Sequence, residues 1–281
     1  MRTSSIAGSW YPGDRQELDS LVESLLQQAD APGLPGRPLG LIAPHAGIQF
    51  SGAAAACAYK PLRGRNIKRV ILIGPSHYHG FRGLAVSGVD AYETPLGRLP
   101  VDQKISDELS SHALFRGPSE AELPEHSLEM HLPFLQTVIP DCTLLPLVAG
   151  HLTPNECARA AEALTPLLDD ASIVAASSDF THYGRRFGYV PFADDVRENL
   201  HALDTGAIDL ILAKDCEGFL GYVEKTGATI CGATPIALLM NMLPASARGT
   251  LLSYYTSGDI IGDFSDTVSY ASIIFTEGSA C

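Results

Sequence analysis

No stretch of this chain runs to about eighteen consecutive apolar residues, so none reads as a membrane-spanning helix. Positive charge is scarce: 19 Lys and Arg stand against 32 Asp and Glu, giving a formal charge of -13. Nucleic acids are bound by clustered cations that displace counterions, so this balance excludes a nucleic-acid partner. The nearest basic run, 63–69, reads as a solvated turn before the strand at Val70. The 6 cysteines contain no C-x-x-C pair, and the opening Met-Arg-Thr-Ser-Ser-Ile lacks the charged-then-apolar order of a secretory signal. Reduced thiols in a cytoplasmic protein are therefore expected, most of them packed in the core. No G-x-S-x-G elbow, Walker loop or G-x-G-x-x-G turn is present, which removes serine-hydrolase, P-loop and dinucleotide readings.

What is present is an alternation of helix and strand signals over 281 residues, of which 46% are hydrophobic and 18% charged. It predicts a single α/β domain spanning 1–281, with a central mixed sheet flanked by helices in three layers. Leu18, Leu21, Val22, Leu25 and Leu26 have helical spacing behind a capping Asp14. A turn-rich bridge follows at 31–38, and small residues at 51–60 suit a helix pressed on a sheet. The segment 83–101 reads as a hairpin insertion. Further helices are expected at 102–111, 156–168 and 194–203, and a closing strand at 267–275.

Three apolar runs lead to histidines: Leu39–His45, Val70–His77 and Ile173–His182. Such runs predict strands buried on both faces, and ligands of open α/β sheets gather beyond the carboxyl ends of these strands. A turn histidine taken alone has a purely structural explanation; three delivered to one sheet edge predict a metal site or an acid–base centre. His77 is preferred over His79 because it lies nearer its strand end. Asp179, three residues before His182, is placed to raise the basicity of that imidazole and fix its tautomer, the alternative being a helical cap.

Thr234 as a cap and Pro235 at the first helical position predict a helix start just after Cys231. The positive end of that helix would favour the Cys231 thiolate, a metal ligand or nucleophile. Glu125 and His126 crowd another helix start and read as pocket or supporting groups. His126 and His131 are five residues apart, which rules out the H-E-x-x-H zinc motif. Trp10 and Tyr11 are candidate pocket aromatics, although a lone tryptophan also suits a packing role.

Taken together, Ala7–Tyr11, Ala43–Gly47, Gly74–His77, Glu125–Glu129, Ser177–His182, Ile230–Gly232 and Thr256–Asp259 resemble the Memo family, in order and over almost the whole chain. The resemblance implies a fold similar to the LigB-type class III extradiol dioxygenases, non-haem iron enzymes that open catechol rings. It also implies a metal site on His45, His77 and Cys231, with Asp179 and His182 beside it. Ile48 departs from the Tyr often found after His-Ala-Gly in that family, which removes one phenol from the pocket. A thiolate ligand is softer than the carboxylate of ring-cleaving iron enzymes and shifts the expected metal toward copper(I), zinc or a redox-sensitive iron.

Three functions are carried forward. The first is iron- or copper-dependent redox chemistry, with His182 as base tuned by Asp179, and with extradiol-type ring opening as one version. The second is a non-catalytic adaptor that uses the pocket for a peptide or small anion, a role the resemblance keeps open. The third is a zinc hydrolase in which Glu125 or His182 moves the proton. The resemblance further suggests association with radical-SAM proteins, and the acidic surface suits a monomer or a symmetric homodimer equally.

Overall fold

Short apolar runs between amphipathic segments dictate strands separated by helices, and a computed structural model, which describes all residues except 31, 32, 35 and 279–281, shows how they assemble. The strands are β1 (Pro38–Ala43), β2 (Arg69–Pro75), β3 (Leu84–Val86), β4 (Ala91–Thr94), β5 (Gly97–Pro100), β6 (Thr143–Ala149), β7 (Ser172–Ser177), β8 (His182–Gly184), β9 (Arg248–Thr256) and β10 (Asp266–Thr276). The main sheet has the order β3-β6-β2-β7-β1-β10-β8, and β9 also pairs with β10. Its centre, β6-β2-β7-β1, is parallel. Antiparallel β3 and β10 flank that centre, so the sheet is mixed.

The helices are α1 (Arg15–Gln28), α2 (Ile48–Tyr59), α3 (Gln103–Ser110), α4 (His126–Glu129), α5 (Leu132–Val138), α6 (Pro154–Leu164), α7 (Val196–Leu212), α8 (Cys216–Thr226), α9 (Ala233–Met242) and α10 (Ser257–Ile261). Alternation along each central strand builds two cores. Val70 and Leu72 of β2 join Leu18, Val22 and Leu135 on one face, whereas Ile71 and Ile73 join Ala160, Ile208 and Leu239 on the other. Helices α1, α2 and α5 therefore cover one side and α6 to α9 the other. Every residue of β1 and β7 is buried, as expected for strands sandwiched between helical layers. No helix among the described residues is long and apolar enough to cross a membrane.

Several boundaries differ from the sequence reading for local reasons. Residues Ala91–Pro100 do form a hairpin, but Leu84–Val86 joins the main sheet beside β6. The helix expected at 194–203 continues to Leu212, because Ala207, Ile208 and Ile211 prolong its buried stripe. Helix α9 starts at Ala233 with Gly232 as its cap, ahead of Thr234. A Cβ on Gly232 would collide with Ser178 and the Ser177 carbonyl, so only glycine lets the helix start this close to β7. Cys57, Cys142, Cys157, Cys216 and Cys231 are free thiols. Cys281 and part of the 31–38 bridge lie outside the described residues.

Candidate metal centre

Strands β2, β7 and β1 are neighbours and parallel, so their carboxyl ends open on one edge. His77 follows β2 by two residues and His45 follows β1 by two, while the middle strand ends in the small Ser177. Two imidazoles from the outer strands can therefore meet in front of the middle one. A third comes from His126, the first residue of α4, and the ring centroids lie 5.1 Å (His45–His77), 5.5 Å (His45–His126) and 4.4 Å (His77–His126) apart. One ring nitrogen from each falls within 4.8 Å of the other two, a spacing that lets the three converge on one ion. Cys231 Sγ stands 3.3 Å from Nε2 of His45 but falls outside this group of mutually close donors, in which His126 takes the place the sequence reading gave to the thiol.

Hydrogen bonds fix which nitrogens are free. Ser177 donates its hydroxyl proton to the Ser127 carbonyl at 2.7 Å, so its lone pairs accept the Nδ1 proton of His45 (2.6 Å) and the Nε2 proton of His131 (2.7 Å). Nδ1 of His131 then accepts from the buried Tyr59 hydroxyl at 2.8 Å. This chain leaves Nε2 of His45 unprotonated. His77 is set likewise: Nδ1 donates to Glu125 Oε1 at 2.8 Å and its amide donates to Oε2 at 2.7 Å. A carboxylate behind a metal-binding imidazole fixes its tautomer and increases its basicity. Nδ1 of His126 is engaged by the Tyr78 hydroxyl at 3.1 Å.

Charge follows from burial. His45 is held well below its usual range by burial and by the facing histidines, and His126 is lowered to about 4 by burial and His77. Burial opposes ionisation of Glu125, but the hydrogen bonds from His77 prevail and hold its carboxyl at about 2. The neutral imidazole is the form that binds a cation, and burial favours it at His45 and His126. Cys231 departs from the sequence expectation. Burial, reinforced by the Asp179 carboxylate, pushes its thiol well above the usual value, outweighing the helix end and leaving it protonated unless a cation displaces the proton.

Asp179 and His182 stand beside the cluster with a division of labour that the sequence did not reveal. Asp179 Oδ1 accepts the amides of His45 (2.8 Å) and Ala46 (3.3 Å), so this carboxylate shapes the His45 turn. The His182 tautomer is set instead by Nδ1 donating to the Thr229 carbonyl at 3.0 Å, which leaves Nε2 as the basic nitrogen. Trp10 lies over His126, with ring centroids 4.4 Å apart. Tyr11, expected in the pocket, is buried below it and donates to Glu129 at 2.9 Å. Glu129 also accepts the amides of Ser5 and Ile6 and pairs with the buried Arg2 at 3.2 Å, pinning the N-terminal segment that carries Trp10.

His79 is exposed and stands at a neighbouring cleft. The supporting roles of Ser177, His131 and Thr229 were not read from the sequence. A hint existed for Ser177, a small polar residue ending the strand between two histidine-tipped ones. A Cβ on Gly74 would collide with Ser127 and Leu128, so glycine there seats α4 directly against β2.

Comparisons with known proteins bear on the family and the fold. The family described as "Memo-like protein" matches residues 2–274. "Protein MEMO1" of Homo sapiens is 33% identical over 285 residues, covering 96% of this chain and 95% of that protein. "MEMO1 family protein TV1383" of Thermoplasma volcanium is 33% identical over 278 residues, with 98% of each chain covered. Among solved structures, an uncharacterized protein of Escherichia coli K12, JW3007, superposes with a TM-score of 0.55 at 13% identity, covering 85% of this chain and 99% of that one. That last likeness concerns the fold alone. The match over nearly the full chain, at this level of identity to its relatives, places the chain in the Memo family.

Proposed function

We propose that this protein binds a redox-active metal, iron or copper, through His45, His77 and Cys231, and uses it in oxidoreductase chemistry on a small molecule. The observation that carries the reading is the meeting of a thiol and an unprotonated imidazole nitrogen, Cys231 Sγ and His45 Nε2, 3.3 Å apart at the edge where His77 also arrives. The donor set fits such an ion: two imidazoles and one sulfur suit iron, copper or zinc better than a hard cation. When bound, the metal would supply one-electron chemistry and a coordination position for substrate. The chain's own groups do the rest. His182, fixed through Thr229, takes a substrate proton at Nε2; Glu125 holds His77 in its ligating tautomer; Trp10 covers the His126 side.

A second reading rests on the His45, His77 and His126 group. Three imidazoles suit zinc and hydrolysis, with Cys231 outside the coordination sphere. Elemental analysis of protein purified without oxygen or chelating resin separates the two. Near-stoichiometric iron or copper that is lost in Cys231→Ser but retained in His126→Gln supports the first. Zinc retained in Cys231→Ser and lost in His126→Gln supports the second. No metal in any of them, even after reconstitution, would overturn both and leave the pocket to an adaptor role.

A further inference from the structure

Beside the histidine cluster a cleft of about 550 Å3 opens between the loops after β2 and β6 and the start of α9; His79, Phe81, Arg82, His151, Cys231 and Thr234 help to line it. In a chain of net charge -13, no carboxylate stands among its described lining residues. Its rim is built. The His151 amide donates to the Phe81 carbonyl at 2.8 Å, and Arg82 and His151 form a backbone bridge that brings the two residues side by side. Glycine at 150 permits this, because a Cβ there would strike the Phe81 carbonyl. Glu156 Oε1 accepts from Nε and Nη2 of Arg82, while its other oxygen is held by the Thr153 amide and hydroxyl. The guanidinium is thereby tethered, and its Nη1 has no partner among the described residues.

The opposite end of the cleft has the reverse polarity. Cys231 stands there, its Sγ accepting the Asp179 amide at 3.3 Å, and the buried Asp179 and Glu125 carboxylates hold the neighbouring His45 and His77 amides. An anion pushed to that end would be repelled, whereas one kept at the rim meets Arg82 and two imidazoles able to donate hydrogen bonds.

We propose that this cleft binds a small organic molecule by one oxyanion head, carboxylate or phosphate, held at the rim by Arg82, His151 and His79, with its uncharged end directed toward Cys231. What happens at that end rests on the metal-centre reading; the binding does not.

The test uses the metal-free protein and two alkylating agents, iodoacetate and iodoacetamide, which differ in bearing a carboxylate or an amide. In both, the thiolate sulfur forms a bond to the methylene carbon as the carbon–iodine bond breaks, iodide leaves, and the thiol proton passes to buffer. The ratio of the two rates therefore cancels the thiolate fraction. Cys216 is the internal reference, a half-buried thiol flanked by Asp215 and Glu217. Peptide mass spectrometry at low salt should give an iodoacetate-to-iodoacetamide ratio at Cys231 about tenfold above that at Cys216.

The double variant Arg82→Gln, His151→Asn alters two exposed side chains and should bring the ratio within about twofold of the reference. Benzoate should slow iodoacetate at Cys231 where benzamide does not; protection by inorganic phosphate but not benzoate would assign a phosphate head. Equal ratios at the two cysteines, or a ratio unmoved by the double variant, would overturn the proposal. Because no metal enters the assay, a failed metal analysis leaves this result standing, and a failed ratio leaves the metal reading untouched.

Discussion

Replacing Ser177 by alanine tests the reasoning about the centre at its least exposed point. One hydroxyl accepts the Nδ1 proton of His45 and the Nε2 proton of His131 and donates to the Ser127 carbonyl, all fully or nearly fully buried. The substitution leaves two N–H donors and a carbonyl to find partners, at about 1–3 kcal/mol for each buried group left unsatisfied. His45 can shed part of that cost by moving its proton to Nε2, facing Cys231, and that removes the nitrogen a metal needs. The expected outcome is a loss of about 2–4 kcal/mol in urea unfolding of the metal-free protein. Cobalt(II) affinity should fall about 10–100-fold, as for other groups that orient metal-bound histidines. Long-range 15N–1H NMR of histidine-labelled protein reads the proton directly: Nδ1-protonated His45 in the parent, Nε2-protonated in the variant. A variant that keeps the Nδ1 form and binds cobalt as tightly as the parent would refute the assignment, whatever its stability.

Four further outcomes are expected. Trp10 is the only tryptophan and lies 4.4 Å from the His126 ring, so copper(II) or cobalt(II) should quench its emission in a saturable titration; undiminished emission under proven loading would place the metal away from His126. Glu129→Ala strands the buried Arg2 charge and should cost about 3–5 kcal/mol, with Trp10 emission shifting to the red as the N-terminal segment loosens; an unshifted spectrum would count against that pin. Burial holds His131 at about 3, below its ordinary 6.5, so the unfolded chain takes up a proton the folded one refuses. Stability should therefore be full above pH 6.5 and fall as pH drops toward 3, by up to roughly 1.4 kcal/mol per unit of separation, and His131→Gln should flatten that slope in unfolding curves. Metal loading should steepen with rising pH because the Cys231 thiol must lose its proton, and Cys231→Ser should remove that part of the dependence.

The sequence made the strands and their histidines legible because both signals are local. An apolar run such as Val70–Pro75 is buried wherever it pairs, and a histidine just beyond it must reach the sheet edge. The family motifs followed the same edge. What stayed hidden was set by contacts across the chain. His126 read as a wall because nothing local shows that α4 seats against β2. Tyr11 read as a pocket group because its partner, Glu129, lies 118 positions away. Proximity in sequence predicts that Asp179 orients or tunes His182; its carboxylate does lie close enough to interact with that imidazole, while its hydrogen bonds go to the His45 turn and the His182 tautomer is set by Thr229. The helix-end argument for a Cys231 thiolate was sound for an exposed residue and was overridden by burial.

The place of β1 in the sheet bears on when this centre comes into being. The strand that delivers His45 lies between β7 and β10, the last of the described strands, and Cys231 is made 186 positions after His45. A ribosome-bound chain therefore has no complete centre until the segment through β10 has emerged. Unlike a zinc finger, in which closely spaced ligands let the ion template a short local loop, this domain must close its longest-range pairings before the donors face one another. Metal insertion then becomes an event of the whole domain, open to being delayed, checked or withheld after the domain has closed.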